Sequence, residues 1–383
     1  MKIKITELYV YPIKSLRPLS VSRTQLRREG LRYDRRFMLL KVEAGTEEEG
    51  PRYKNIQTAY MPECTLFDQA IDEDANHIVV TYRIPEKPLV DPPTSEQRTA
   101  LRVPLDPDID GLGTVDIKLF GSPTTAYRMG DPYDTWFSSC FGYRAILVYI
   151  GKNRRPVLGH LPPELKQQHQ QQGDKSWFST ITSLIPSYQQ PLKKEKEAAG
   201  LTFNEAAPFL LTSKASLRDV SARLPEGEAM DMIKFRPNIV VDAVSEDGDD
   251  NDEDAPTLGA WDEDFWSELV VVGEAQQQPR CRLALTANCA RCISINIDYE
   301  TGRPAEGEMG TVLKKLMKDR RVDAGNKWSP IFGRYAFLLP PSSPPIDRGG
   351  EEEEELVVAD VAVGDEVEVT RRISDRDVWA WPK

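Results

Sequence analysis

Histidine and cysteine are scarce in this sequence of 383 residues, with three of the first (His77, His160, His169) and five of the second (Cys64, Cys140, Cys281, Cys289, Cys292). No histidine stands beside an acid or cysteine cluster, so imidazole catalysis and a His-rich metal site find little support. Five unevenly placed cysteines do not make a disulfide framework, which fits a reducing compartment and leaves thiols available as ligands. No apolar run reaches the roughly 18 residues that a membrane-spanning helix needs. The chain opens on Lys2-Ile3-Lys4-Ile5-Thr6-Glu7-Leu8-Tyr9-Val10, which alternates like a strand and lacks the apolar centre of a signal peptide. The expectation is a soluble, cytoplasmic protein. Also absent are a GxGxxG after a strand, a GxxxxGK[ST] loop and a GxSxG elbow, which disfavours Rossmann hydride transfer, P-loop chemistry and hydrolase chemistry.

The net charge of -12 argues against general affinity for nucleic acid. Its distribution matters more. Glu246 to Asp254 holds seven acidic side chains and Glu351 to Glu355 five, so the remainder of the chain is balanced. Both runs read as solvated loops. A hydrophobic fraction of 40% over this length suffices for two or three domains with sizeable cores.

Up to about residue 125, β-branched and aromatic runs such as Ile78-Val79-Val80-Thr81-Tyr82 alternate with Gly, Pro and Asp, which predicts a small β-rich domain. Asp131 as a cap with Pro132 behind it opens a helix over 133–141, and Arg144 to Ile150 returns to strand. Residues 162–200 lose periodicity in a Gln-rich tract around His169, with Pro186 and Pro191 near its end, and read as a long loop. Beyond it, Pro208 to Ser213 is ordered, and Ser216 with Asp219 resembles a capping box ahead of a short helix. Ile233 to Val241 reads as a buried strand, as do Leu269 to Val272 and the alternating Cys292 to Ile297. A helix with Val312, Leu313, Leu316 and Met317 on one face follows, then Tyr335 to Leu339 and Val357 to Val369. The fold class is α+β, mainly β, divided as 1–125, a connector over 126–200, and 201–371.

Chemistry has few candidates. Cys289 and Cys292 form a CxxC that could be half of a zinc site, a redox dithiol or core, and no second ligand pair accompanies it. Cationic and hydroxyl residues stand at strand ends: Lys14-Ser15, Asp34-Arg35-Arg36, Thr212-Ser213, Arg236 with Asn238, and Arg291 with Cys292. Read singly, each is also explained as a surface cation or a local ion pair. Together they suit a phosphate-bearing ligand, which Arg binds bidentately and Lys as a point charge. The arginines would also lower the pKa of a neighbouring thiol, and a thiolate is a strong ligand for a thiophilic metal.

Four motifs in order carry a resemblance: Val10-Tyr11-Pro12-Ile13-Lys14-Ser15, then Gly30-Leu31-Arg32-Tyr33-Asp34-Arg35, then Phe235-Arg236-Pro237-Asn238-Ile239-Val240, and Cys289-Ala290-Arg291-Cys292 with Thr301-Gly302. They resemble the MOSC-domain proteins, nearest to the amidoxime-reducing components, and span almost the whole chain. The resemblance implies an N-terminal MOSC β-barrel domain, a C-terminal MOSC β-barrel domain with short helices, and a molybdenum cofactor (Mo-molybdopterin). It assigns Cys292 as the metal ligand and catalytic residue. Lys14, Ser15, Arg35, Ser213, Arg236, Asn238, Arg291 and Tyr335 become cofactor-binding residues, Tyr335 through Phe332-Gly333-Arg334-Tyr335. Three departures stand out: Thr58-Ala59-Tyr60 where relatives often show Thr-x-Arg, Ala290 where they often show serine, and no anchoring helix before the first strand.

The activity so implied is reduction of N-hydroxylated compounds (amidoximes, hydroxylamines, N-hydroxylated bases) by oxygen-atom transfer to Mo(IV). No C-terminal cysteine cluster for an iron–sulfur centre is present, so electrons come from a partner, by resemblance a b-type cytochrome and its NADH-dependent reductase. The alternative is a sulfur carrier or cofactor-handling protein with a persulfide on Cys292, although no PLP-binding sulfurase domain precedes the MOSC region. No general acid is evident in the sequence.

Overall fold

The structure is a computed structural model that describes residues 2–46, 50–166, 200–244, 258–273, 279–341 and 358–382. The Gln-rich tract with His169, Pro186 and Pro191, and both acidic runs, lie outside the described residues.

Two sheets and a helix enclose the N-terminal core. A five-stranded sheet runs in the order Thr114–Leu119, Ser122–Arg128, Ala145–Tyr149, Phe37–Glu43, Arg52–Asn55, and a three-stranded sheet joins Phe67–Asp72, His77–Tyr82 and Leu101–Pro104. Helix α1 (Tyr133–Phe141) presents Trp136, Phe137, Cys140 and Phe141 to the core and stops at Gly142 in the left-handed conformation. Phe67 is the hub, with ring centroids of Tyr82, Phe137 and Phe141 between 4.8 and 5.5 Å away. Each such pair contributes about 0.5–1.5 kcal/mol beyond the burial of its area. At the start of α1 the cap position is Pro132, not Asp131, whose carboxylate instead accepts from the Thr135 hydroxyl at 2.6 Å.

Seven strands form a closed barrel: β1 (Lys2–Val10), β2 (Phe209–Ser213), β3 (Ile239–Val244), β4 (Trp266–Val272), β5 (Pro279–Ala290), β6 (Ile331–Leu339) and β7 (Glu366–Arg372). Their order is β3-β2-β6-β5-β4-β7-β1, closed by β1 against β3 in the register Ile5↔Val241 and Leu8↔Ile239. All neighbours are antiparallel except β2 and β3, whose parallel pairing requires a crossover and receives helix α2 (Lys214–Ser221). Alternation in β1 sends Ile3, Ile5, Leu8 and Val10 inward, where they meet Leu211, Val241 and Trp266. Closure removes sheet edges, and each fully buried aliphatic side chain stabilises by about 1.5–3 kcal/mol. No helix among the described residues is long and apolar enough to cross a membrane.

The sheets divide the chain differently from its composition. Ala145–Tyr149 pairs with Phe37–Glu43 in the register Leu147↔Leu39, so the N-terminal domain continues to about residue 150. The first strand, in turn, belongs to the C-terminal barrel. Strand pairing joins segments far apart in sequence, and a compositional boundary near 125 does not register it.

Three expected local structures also differ. Ile233 to Val241 is not one strand: Met232–Phe235 is a single 3-10 turn capped by Asp231, Arg236 takes a left-handed φ of 54°, and Pro237 has no N–H for a ladder, so β3 begins at Ile239. Cys292 to Ile297 is likewise no strand, because β5 ends at Ala290 and Ile293–Asn296 forms another 3-10 turn. Its alternation is short enough to mimic a strand, yet Ile293 faces solvent and Ile295 the core. The cap of α2 is Ser213, whose Oγ accepts from the Ser216 N–H at 3.1 Å; the proposed Ser216–Asp219 box sits one turn too late.

Candidate functional site

A cavity of about 260 Å³ opens between the two domains. Turns after β1 bring Lys14 and Ser15 to it, the segment before Phe37–Glu43 brings Arg35, and the link between the 3-10 turn and β3 brings Arg236 and Asn238. The end of β5 supplies Arg291 and Cys292, and β6 supplies Tyr335. Eight of the nine residues expected at the site therefore line one cavity. Ser213 does not; it is fully buried, bonded to Ser216 and to Glu263 at 3.0 Å. The backbone is strained here, because Ser15, Arg35, Phe120 and Arg236 on the cavity wall all have φ between 50° and 74°. That conformation costs an L-residue about 1–2 kcal/mol, and such residues cluster at functional sites.

Most of the cationic and amide groups are engaged within the protein. Arg291 donates from Nε and Nη2 to the Phe332 carbonyl (2.9 and 2.5 Å) and from Nη1 to the Phe235 carbonyl (2.7 Å), and lies over the stacked rings of Phe235 and Phe332. Arg35 pairs with buried Asp34 at 2.5 Å and reaches Asn238 Oδ1 at 3.3 Å. Asn238 ties three segments together: its Oδ1 also accepts from the Leu210 N–H and its Nδ2 donates to the Tyr9 carbonyl. The Tyr11 ring lies between Arg35 (4.3 Å) and Arg236 (4.5 Å). These contacts fix the wall before any ligand arrives.

Three cationic groups on the wall remain available among the described residues: Arg236, Lys14 and Lys234. Arg236 donates from Nη2 to the Leu16 carbonyl at 3.0 Å, while its buried Nη1 makes no well-formed hydrogen bond among the described residues, with the Tyr299 hydroxyl close to the guanidinium. Lys14 is buried, with Nζ 5.4 Å from the Phe120 ring centroid and no hydrogen bond or ion pair among the described residues. Burial pushes its ammonium down to about 7, against the opposing field of Glu205. An orphaned guanidinium N–H beside a desolvated ammonium is a cradle for an anion.

Further in, Cys289 Sγ donates to the Tyr335 hydroxyl at 3.2 Å, which donates to Glu205 Oε2 at 3.0 Å. Burial raises the Cys289 thiol to about 11 and the Tyr335 hydroxyl well above its ordinary value. For Glu205 burial pulls upward, but Lys14, the Tyr335 hydroxyl and Arg35 outweigh it and hold the carboxyl below its usual range. Cys292 differs. It is exposed just past the end of β5, with Sγ 3.2 Å from Ser294 Oγ.

Sequence reasoning missed Glu205, Phe120, Lys234 and Asn204, all of which line the cavity. Glu205 had a signal, as a lone acid within the otherwise uncharged run Leu201 to Ser213. Tyr60, noted only as a departure in Thr58-Ala59-Tyr60, lies at the mouth and is 73% exposed.

Among the described residues no group of three or more His, Cys, Asp or Glu could hold a metal ion. One accessible thiol with anion-binding cations beside it instead suits a thiophilic metal that brings its remaining ligands on an anionic cofactor.

Residues 2–144 match the MOSC N-terminal beta barrel domain and residues 199–368 the MOSC domain. The chain is a MOSC-domain protein. It is similar to mitochondrial amidoxime-reducing component 1 of Danio rerio, 25% identical over 336 residues covering 86% of this chain and 79% of that protein. The protein of the same name from Mus musculus is 26% identical over 344 residues, 88% of this chain and 79% of its own length. A molybdenum cofactor sulfurase of Oryza sativa subsp. japonica is 23% identical over 308 residues, 79% of this chain but 29% of that protein.

Proposed function

We propose that this protein is a molybdenum-cofactor-dependent reductase of N-hydroxylated compounds: amidoximes, hydroxylamines and N-hydroxylated bases. The observation that carries the reading is the accessible Cys292 thiol on a cavity that also holds Arg236 Nη1 and the Lys14 ammonium, neither of them with an ion pair among the described residues. Molybdopterin fits this donor set: Cys292 Sγ would ligate the metal, and Lys14 and Arg236 would neutralise the phosphate. Bound there, such a cofactor would supply two electrons to an N–O bond and take up its oxygen. The chain's own residues do the rest. Arg35, Asn238 and Arg291 keep the wall rigid, and Ser15 holds its turn through the Ile56 carbonyl at 2.9 Å.

Electrons would come from a b-type cytochrome and its NADH-dependent reductase, and the compartment proposed is the cytoplasm. The test is molybdenum content and turnover of a simple amidoxime with a chemical electron donor, wild type beside Cys292→Ala. Molybdenum near one per chain and turnover, both lost in the variant, support the reading. A second reading, a sulfur carrier, draws on the exposure of Cys292 and on the sulfurase likeness. Metal-free protein bearing a persulfide on Cys292, from a host that makes the cofactor, would overturn the reductase reading.

A further inference from the structure

Phe120 occupies a position that its residue type does not favour. Phe120-Gly121 is the two-residue turn between the antiparallel strands Thr114–Leu119 and Ser122–Arg128, with φ of 51° and 81°. Two positive φ values in such a turn describe the backbone for which Asn-Gly is the preferred pair. Phenylalanine stands there instead, its ring 41% exposed on the cavity wall. Core packing does not account for a half-exposed ring in a strained turn; the ring flanks the Lys14 ammonium, 5.4 Å from its centroid, and lines the cavity, which suits a ligand-facing role.

The turn is also held from outside. Residues 373–382 run back over both domains as a strap that lies beyond residue 368, where the MOSC match ends. Trp381 Nε1 donates to the Phe120 carbonyl at 2.8 Å, the Ala380 N–H to His160 Nε2 at 2.8 Å, and the Trp379 N–H to buried Asp323 at 2.9 Å. Trp379 stacks on His160 with centroids 5.0 Å apart and approaches the Tyr335 ring at 6.0 Å, while Asp377 pairs with buried Arg334 at 2.5 Å. The surface is shaped for the strap: a Cβ on Gly325 would lie 2.1 Å from the Trp379 carbonyl oxygen, and one on Gly159 3.2 Å from that of Ala380.

We infer that Phe120, positioned by Trp381, is a specificity-determining wall of the cavity and takes the flat apolar body of the substrate, an aryl or heteroaryl group attached to the N-hydroxylated carbon. The inference rests on the reductase reading and names the substrate class within it. Tyr60 lines the same mouth and adds a second exposed ring. Offset or edge-on ring contact favours an aryl over a methyl substituent by roughly two- to tenfold beyond what area burial alone gives.

The experiment compares benzamide oxime with acetamide oxime as a ratio of kcat/KM, and as a ratio of equilibrium Kd on the cofactor-loaded protein, in wild type, Phe120→Asn and Trp381→Phe. Asparagine suits the turn, so Phe120→Asn is expected to melt at the wild-type temperature or above while both ratios fall two- to tenfold. Trp381→Phe keeps a ring but loses the donor to the Phe120 carbonyl. It is expected to lower the ratios by a smaller factor, through KM of the aryl substrate with kcat kept. Ratios unchanged in Phe120→Asn, or a large loss of stability in that variant, overturn the inference, because the ring would then be idle or a packing element. If wild type reduces neither oxime, the reductase reading fails, and the Kd ratios still decide the wall.

Discussion

The barrel side of the cavity and its mouth use the same residue types in opposite ways. On the barrel side Arg291 gives three hydrogen bonds to two backbone carbonyls, and Cys289 is buried against Tyr335. Toward the mouth the Lys14 ammonium, over the Phe120 ring, has no hydrogen bond or ion pair among the described residues, and Cys292, three positions after Cys289, is exposed. A guanidinium or thiol is available to a ligand only where the protein leaves it unmatched. Residue type identifies candidates, and hydrogen-bond satisfaction separates those that hold the wall from those that face the guest.

The largest contrast lies between the two cysteines. Cys292→Ala is expected to lower amidoxime reduction by more than about a hundredfold, beyond what loss of an outer-shell partner costs a metal site, with molybdenum lost as well. Cys289→Ala should keep metal and most activity and lose about 0.5–1.5 kcal/mol of stability with its hydrogen bond to Tyr335. Equal losses of metal in both variants would abolish the distinction between wall and mouth.

The next effect is on pH dependence at the mouth. In the ligand-free protein Lys14 titrates near 7, and an anion binds its ammonium form. Binding then takes up a proton, so pyrophosphate affinity is expected to fall about tenfold per pH unit above 7, and Lys14→Met should be weaker and flat. Calorimetric titration between pH 6 and 9 measures it; a flat wild-type profile would place the ammonium outside the anion site.

A smaller effect is expected on the inner side. Tyr335→Phe removes the donor to Glu205 and the acceptor of Cys289, and should cost about 1–2 kcal/mol, read as a lower midpoint in urea. Glu263→Gln acts on the fold through pH. Burial raises Glu263 to about 7, above its unfolded value of 4.5, so its neutral form stabilises the fold at low pH and this is lost as pH rises from about 4.5 through 7. Wild type should therefore lose stability relative to the variant across that window. A constant difference would mean that the Ser213 and Ser216 hydroxyls, at 3.0 and 2.6 Å, keep the carboxylate charged.

Much of the site was legible because its residues stand in compact motifs at strand ends. Phe235 to Asn238 and Cys289 to Cys292 are compact enough to carry a family resemblance, and Lys14-Ser15 follows an unmistakable first strand. Glu205 and Phe120 were not legible in that way. One is a single acid in a loop, and the other looks like an ordinary apolar residue ending a strand; only the fold brings them to the same cavity as Lys14. Ser213 was misplaced for the converse reason, since a serine before a short helix serves equally as cap or ligand, and here it caps α2.

By itself the sequence determined a mainly β chain, because periodicity is a local property, and it was the family resemblance of its motifs that implied two MOSC-type domains and singled out Cys292 over Cys289. Tertiary structure decided which strand belongs to which domain, which arginines are already satisfied, and that a strap beyond the matched domains holds Phe120 at the mouth. Those outcomes depend on hydrogen bonds between residues more than two hundred positions apart, as in Arg35 with Asn238 or Trp381 with Phe120. Such pairings arise only when the barrel closes and the two domains meet.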